Sequence, residues 1–312
     1  MTMLGEGEGT LMKTLLTGAT GLIGREVVGR LESAVVLSRD PEQARRRLPG
    51  LEVHTWAPEA GPPPAGAFHG VEVVFNLTGE PVAEGRWTDE RKQRIRDSRV
   101  LGTRNLVAGL AGLKSRPQVL VSASAVGYYG DRGNEALDET SAPGDGFLAD
   151  VCVEWEREAL AAERLGIRVV CVRTGIVLVR GGGALAKMLA PFGMGAGGKL
   201  GSGRQWMPWI HLDDEIGILL HAMKDARIHG AINAVGPRPV TNSEFTRALA
   251  HAMHRPAFLA VPKTALRLAF GEMSEIMTAS QRVLPTEAER TGYTFKHPEL
   301  AGALAAALTG AP

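Results

Sequence analysis

Thr17-Gly18-Ala19-Thr20-Gly21-Leu22-Ile23-Gly24 decides how this chain folds. A short apolar run, Thr14-Leu15-Leu16, leads into it, and Ile23, Val27, Val28 and Leu31 follow at helical spacing. The pattern is strand, glycine turn, helix. Gly18 can adopt backbone angles that a β-carbon forbids. Gly21 lets the backbone approach a pyrophosphate, and Gly24 lets helix and strand pack closely. Thr20 and the first-turn amides of Leu22 and Ile23 then face the phosphates from a positive helix end. The stretch reads as a dinucleotide site, with a plain tight turn as the alternative.

The rest of the composition narrows the class. A chain of 312 residues with 44% hydrophobic content can build a large α/β domain with a smaller cap. A net charge of +1 leaves no electrostatic footprint for nucleic acid. Two cysteines, Cys152 and Cys171, exclude a disulfide framework and a cysteine-built zinc site. No histidine pair has metal-site spacing with an acid beside it, so no metal is expected, and His251 and His254 read as ordinary residues. No apolar run reaches membrane length. Residues 1–11 lack a signal peptide's basic start and apolar middle, so they read as a loosely held extension of a cytoplasmic protein.

Further strands are expected at 34–39, 51–56, 71–77, 119–122, 168–173 and 231–235. Helices are expected at 89–113, 147–165 and 213–223, and after Thr241 with Asn242 or Ser243 as N-cap. A parallel, doubly wound sheet follows, with ligands at the carboxyl ends of its strands. Leu77, Thr78, Gly79 and Ser122 are therefore expected to line the cofactor groove. Where an NAD site carries an acid for the ribose hydroxyl, this chain has Ser38 and Arg39. A guanidinium and a hydroxyl suit a 2′-phosphate, which predicts NADP(H); the alternative is an arginine solvating a strand end. Segment 181–203 is rich in glycine, with an apolar helical patch at Leu185, Met188 and Leu189 between, and reads as a mobile loop on the substrate side. Residues 12–178 with 208–236 form the expected cofactor domain, and 179–207 with 237–312 the cap.

TGATGLIG, VSASAVGYYGD, VRTGIVL and GSGRQWMPWIHLDD together resemble the extended short-chain dehydrogenase/reductase superfamily, over residues 12–308. Arg86-Trp87, Phe147-Leu148-Ala149 with Trp155-Glu156, and Ser280-Gln281-Arg282-Val283-Leu284-Pro285 narrow this. They resemble the NAD-dependent epimerase/dehydratase branch sometimes labelled cell-division inhibitor. The resemblance implies a serine with a Tyr-x-x-x-Lys pair, in which the lysine holds the nicotinamide ribose and the tyrosine exchanges a proton with substrate. Ser124 matches the serine. Leu148 stands at the tyrosine and Cys152 at the lysine, or Phe147 and Val151 after a one-residue slip. Arg99 replaces the asparagine that relays the proton. Tyr128 and Tyr129 are the substitute acids nearest Ser124, or else packed turn residues.

Nucleotide-sugar epimerases resemble this chain in the run around Gly201, but Met207 and Pro208 stand where they carry arginine and aspartate. Methionine offers a diphosphate no bidentate grip. Arg86, Arg204 and Trp206 are the candidate contacts for a small substrate, although Trp206 and Trp209 could equally be core. Two functions fit. One is an NADP-dependent oxidoreductase or epimerase with a rebuilt site. The other is a weakly active or inactive NADP(H)-binding regulator, cell-division-related or redox-sensing. Superfamily relatives dimerise through helices matching 89–113 and 147–165, so the resemblance also implies a homodimer.

Overall fold

A computed structural model of the protein describes residues 12–309, so the extension expected at 1–11 lies outside the described residues. The first half runs β1 (Lys13–Thr17), α1 (Leu22–Val28), β2 (Ser33–Ser38), α2 (Pro41–Arg47), β3 (Glu52–Thr55), β4 (Val73–Asn76), α3 (Asp89–Ala111), β5 (Val119–Ala125), β6 (Ala136–Leu137) and α4 (Phe147–Leu160). Then come β7 (Arg168–Thr174), β8 (Ile176–Leu178), α5 (Gly183–Gly193), β9 (Gly198–Leu200), β10 (Trp206–Met207), β11 (Trp209–His211), α6 (Leu212–Lys224) and β12 (Gly230–Ala234). The tail adds β13 (Val240–Thr241), α7 (Asn242–Ala252), β14 (Leu259–Val261), α8 (Lys263–Phe270), α9 (Glu275–Thr278), β15 (Arg282–Val283), α10 (Thr286–Arg290) and α11 (Leu300–Thr309).

Seven of these strands form one parallel sheet in the order β12-β7-β5-β4-β1-β2-β3. Its strands are apolar on both faces, as a helix-covered parallel sheet requires. Leu16, Val36, Phe75, Val121 and Val172 pack under α1 and α6, against Val27, Ile216 and Ile218. Leu15, Val35, Val74, Leu120 and Cys171 pack on the opposite face against Leu106 and Leu110 of α3 and Ala159 of α4. A third core joins Leu178, Leu185, Met207 and Trp209 to Phe245 and Leu249 of α7 and Leu300 and Leu304 of α11. Among the described residues, no helix is long and apolar enough to cross a membrane.

Three local expectations change. Thr241, not Asn242 or Ser243, caps α7: its hydroxyl accepts from the Glu244 amide while the Glu244 carboxylate accepts from the Thr241 amide, a closed capping box. Segment 181–203 is not one mobile loop: its helical patch forms α5, whose Leu185 is buried, and β9 beyond it pairs with β14. β5 also continues past Ser122 to Ala125, which fixes the faces of the residues that follow.

Candidate functional site

The strand order reverses between β1 and β4, and that switch point is where a doubly wound sheet opens its ligand crevice. Gly18 follows β1 with φ +70°, and a Cβ there would lie 2.6 Å from the Leu77 carbonyl oxygen, at the end of β4. At Gly24 a Cβ would lie 2.3 Å from the Gly18 carbonyl oxygen. Both positions therefore require glycine, for the turn and for close packing of α1. The Leu77 amide donates to the Thr17 hydroxyl at 3.1 Å, and Thr17 donates to Asn76 Oδ1 at 3.0 Å. These bonds hold the two strand ends together. No side chain caps α1, whose N-cap is Gly21, so the first-turn amides of Leu22 and Ile23 have no side-chain acceptor among the described residues.

A groove lies over this turn, lined among others by Gly18, Thr20, Ser38, Arg39, Trp56 and Thr78. Arg39 is exposed and forms no ion pair among the described residues. The Ser38 hydroxyl donates to the Asp40 carbonyl at 2.9 Å, so it shapes the turn into α2 and leaves Arg39 as the groove's cation. Leu77 and Thr78 are half-buried and Gly79 is exposed. Ser122 departs from expectation. It is fully buried, and its hydroxyl accepts from Asn76 Nδ2 at 3.2 Å.

Ser124 departs as well. Because β5 runs on to Ala125, strand alternation puts Ser122 and Ser124 on the α4 face. Ser124 is buried, and its hydroxyl donates to Glu156 of α4 at 2.6 Å. Arg173 of β7 grips the same carboxylate through two bonds of 2.8 and 2.9 Å. Tyr129 is fully buried; its hydroxyl lies 2.7 Å from Asn233 Oδ1 and accepts from Arg173 at 2.9 Å. Burial pushes its pKa up to about 12. It is a packed turn residue. Tyr128 is half-buried, with the Arg173 guanidinium 3.5 Å from its ring centroid. The buried Glu156–Arg173 pair joins all three residues, and the sequence reading missed it: an acid on a helix and an arginine ending a strand carry no spacing that links them.

Leu148 and Cys152 pack against the turn after β5. A Cβ on Gly127 would lie 3.3 Å from Leu148 Cβ and 3.8 Å from Cys152 Sγ. Burial pushes the Cys152 thiol up to about 12, which keeps it protonated and unreactive at neutral pH. Arg99, on α3, lies beside Gly79: its guanidinium carbon is 3.0 Å from where a Gly79 Cβ would sit.

The three candidate substrate residues are not brought to one point by their contacts. Arg86 is exposed and donates to the carbonyls of Leu268 and Ala269, tying its loop to the end of α8. Arg204 is exposed. The Trp206 indole is half-buried and donates to Asn134 Oδ1 at 2.7 Å, with Arg282 over its ring. Met207 and Trp209 are core, so position 207 presents no grip for a diphosphate.

Folding also gathers His211, Asp213 and His297, whose potential ligand atoms all lie within 4.8 Å of one another. Two of the three already have partners. His211 Nδ1 accepts from the Asp213 amide at 3.1 Å, and Asp213 pairs with Arg30 at 2.8 Å.

Comparison with known proteins agrees with this geometry. Residues 14–236 match the model of the NAD dependent epimerase/dehydratase family, and residues 261–307 match a domain of unknown function. The chain is 41% identical to epimerase family protein Mb2239 of Mycobacterium bovis, over 94% of this chain and 97% of that one. It is 37% identical to epimerase family protein SDR39U1 of Mus musculus, over 94% of this chain and 98% of that one. The crystal structure of human SDR39U1 isoform 2 with NADPH superposes with a TM-score of 0.83 at 33% identity, covering 96% of this chain and all (100%) of that one. UDP-glucose 4-epimerase of Thermotoga maritima shares the fold, with a TM-score of 0.75 at 18% identity over 95% of this chain and 98% of that one. With the glycine turn at the switch point and the match spanning the whole sheet, the chain belongs to the NAD dependent epimerase/dehydratase family.

Proposed function

We propose that this chain is an NADP(H)-dependent oxidoreductase that works without a tyrosine–lysine proton relay. The observation that carries the cofactor is Arg39, a guanidinium with no ion pair among the described residues at the groove edge beyond β2, where a 2′-phosphate would sit. The human relative crystallised with NADPH supports the same choice. NADP(H), when bound, supplies or accepts a hydride. The chain's own residues bind and orient it: the glycine turn and the first-turn amides of α1 would hold the pyrophosphate, and Arg39 the 2′-phosphate. Leu148 and Cys152 place an apolar wall and a protonated thiol where superfamily members carry the relay. The proton that accompanies the hydride is then left to solvent or substrate. Arg204 and Trp206 would contact a small substrate from the tail side.

NADPH oxidation followed at 340 nm against a panel of aldehydes, ketones, enones and quinones tests this. Turnover that survives Ser124→Ala and Tyr129→Phe supports the relay-free reading. Turnover abolished by Tyr128→Phe would assign the acid to that residue and contradict it. The Ser124–Glu156 bond favours a second reading, a cofactor-binding regulator with no turnover. That reading requires a silent panel and a partner that distinguishes NADPH from NADP⁺.

A further inference from the structure

Arg99 is a cation that the structure does not neutralise. It sits on α3 beside Gly79, and its Nη1 donates to the carbonyls of Glu80 at 2.9 Å and Ile95 at 3.1 Å. Its Nε and Nη2 form no hydrogen bond, and no carboxylate pairs with it among the described residues. Neither nitrogen is among the fully buried polar atoms left without a partner, so both keep some exposure on a half-buried side chain. The guanidinium lies 5.2 Å from the Trp155 ring centroid, which steadies it against α4. Burial works against its charge, and the carboxylate of Glu80, whose carbonyl it already bonds, favours it.

These contacts locate the group. Gly79 follows the end of β4, while Cys152 abuts the turn after β5. Arg99 thus stands between the carboxyl ends of β4 and β5. A dinucleotide lying across the switch point has its adenosine half over β1 and β2, on the Arg39 side. Its nicotinamide half lies towards β4 and β5, on the Arg99 side. The residue at the superfamily's lysine position is Cys152, which has no charge to offer, and Arg99 is next to it from the neighbouring helix. The Nε–Nη2 edge presents two parallel donors, a geometry that suits a pair of adjacent oxygens.

We propose that Arg99 holds the hydroxyls of the nicotinamide ribose, supplying from α3 the cation that the superfamily supplies from α4. This rests on the NADP(H) reading above. The test compares three probes by calorimetric titration of the full chain: NADPH, 2′-phospho-ADP-ribose and 2′-phospho-ADP, the last lacking the second ribose. Arg99→Gln should weaken NADPH and 2′-phospho-ADP-ribose by at least about tenfold and leave 2′-phospho-ADP unchanged. Arg39→Ala should weaken all three. Arg99→Lys, which keeps the charge but loses the fork, should fall between wild type and Arg99→Gln for the two ribose-bearing probes. It also keeps the test open if the glutamine variant does not fold. Unchanged NADPH affinity in both Arg99 variants would overturn the proposal, as would equal weakening of all three probes. A wild-type chain that binds none of the probes would overturn the cofactor reading itself and this proposal with it.

Discussion

Ser124 donates its hydroxyl to Glu156 at 2.6 Å, on the sheet face covered by α4. The serine is thereby part of a buried ion-pair network instead of a donor to substrate. Ser124→Ala should cost about 1–2 kcal/mol of stability, because Glu156 loses one acceptor contact but keeps both bonds from Arg173. NADPH affinity should not change. Urea unfolding and a binding titration on the same variant check both halves.

Tyr129→Phe should behave in the same way. The buried hydroxyl satisfies Asn233 and Arg173, and leaving them unpaired should cost about 1–3 kcal/mol. Tyr128→Phe, which removes a hydroxyl that makes no bond to the chain among the described residues, should cost less than about 0.5 kcal/mol. Thermal melts of the two variants side by side would show the difference; equal costs would contradict the assignment.

Much of this was legible in the sequence. The glycine turn, flanked by Thr14-Leu15-Leu16 and the helical Val27, predicts the switch-point groove, and the unbroken apolar runs of β2 and β4 predict a sheet covered on both faces. Position 207 was legible too, since a methionine cannot grip a diphosphate wherever it points. The site's interior was not. Ser122 and Ser124 share one face of β5, but which face depends on where the strand ends and what α4 and β7 bring beneath it. Adjacent tyrosines at 128 and 129 differ only in three dimensions, where Asn233 and Arg173 claim one of them. Arg99 reads as a departure from an asparagine, and its open edge appears only once Gly79 is packed against it.

Glu215 gives the fold a pH dependence. It is buried on α6, accepts from Thr174 at 2.8 Å, and has an Oε2 with no partner. Burial pushes its pKa from 4.5 up to about 8. The folded state therefore binds a proton that the unfolded chain releases near pH 4.5, and stability falls as pH rises from there to about 8. Glu215→Gln should flatten that slope and gain on wild type most at pH 8, by an amount on the order of a few kcal/mol. Urea midpoints at pH 5, 6.5 and 8 measure it; parallel curves for both proteins would contradict the buried neutral acid.

Gly18→Ala should abolish the groove before it unfolds the protein. The new Cβ meets the Leu77 carbonyl at a positive φ, so the turn or the end of β4 must shift, at a cost of about 1–3 kcal/mol. NADPH affinity should fall by at least about tenfold, since the pyrophosphate site is made from that backbone. A folded variant with unchanged affinity would place the cofactor elsewhere.

The most direct test is a calorimetric titration of the wild-type chain with NADPH and with NADH, repeated on Arg39→Ala. We expect NADPH to bind more tightly than NADH, and Arg39→Ala to weaken NADPH about 10- to 100-fold while leaving NADH unchanged. Equal affinity for the two dinucleotides, or an Arg39 variant that binds NADPH like wild type, would contradict the account.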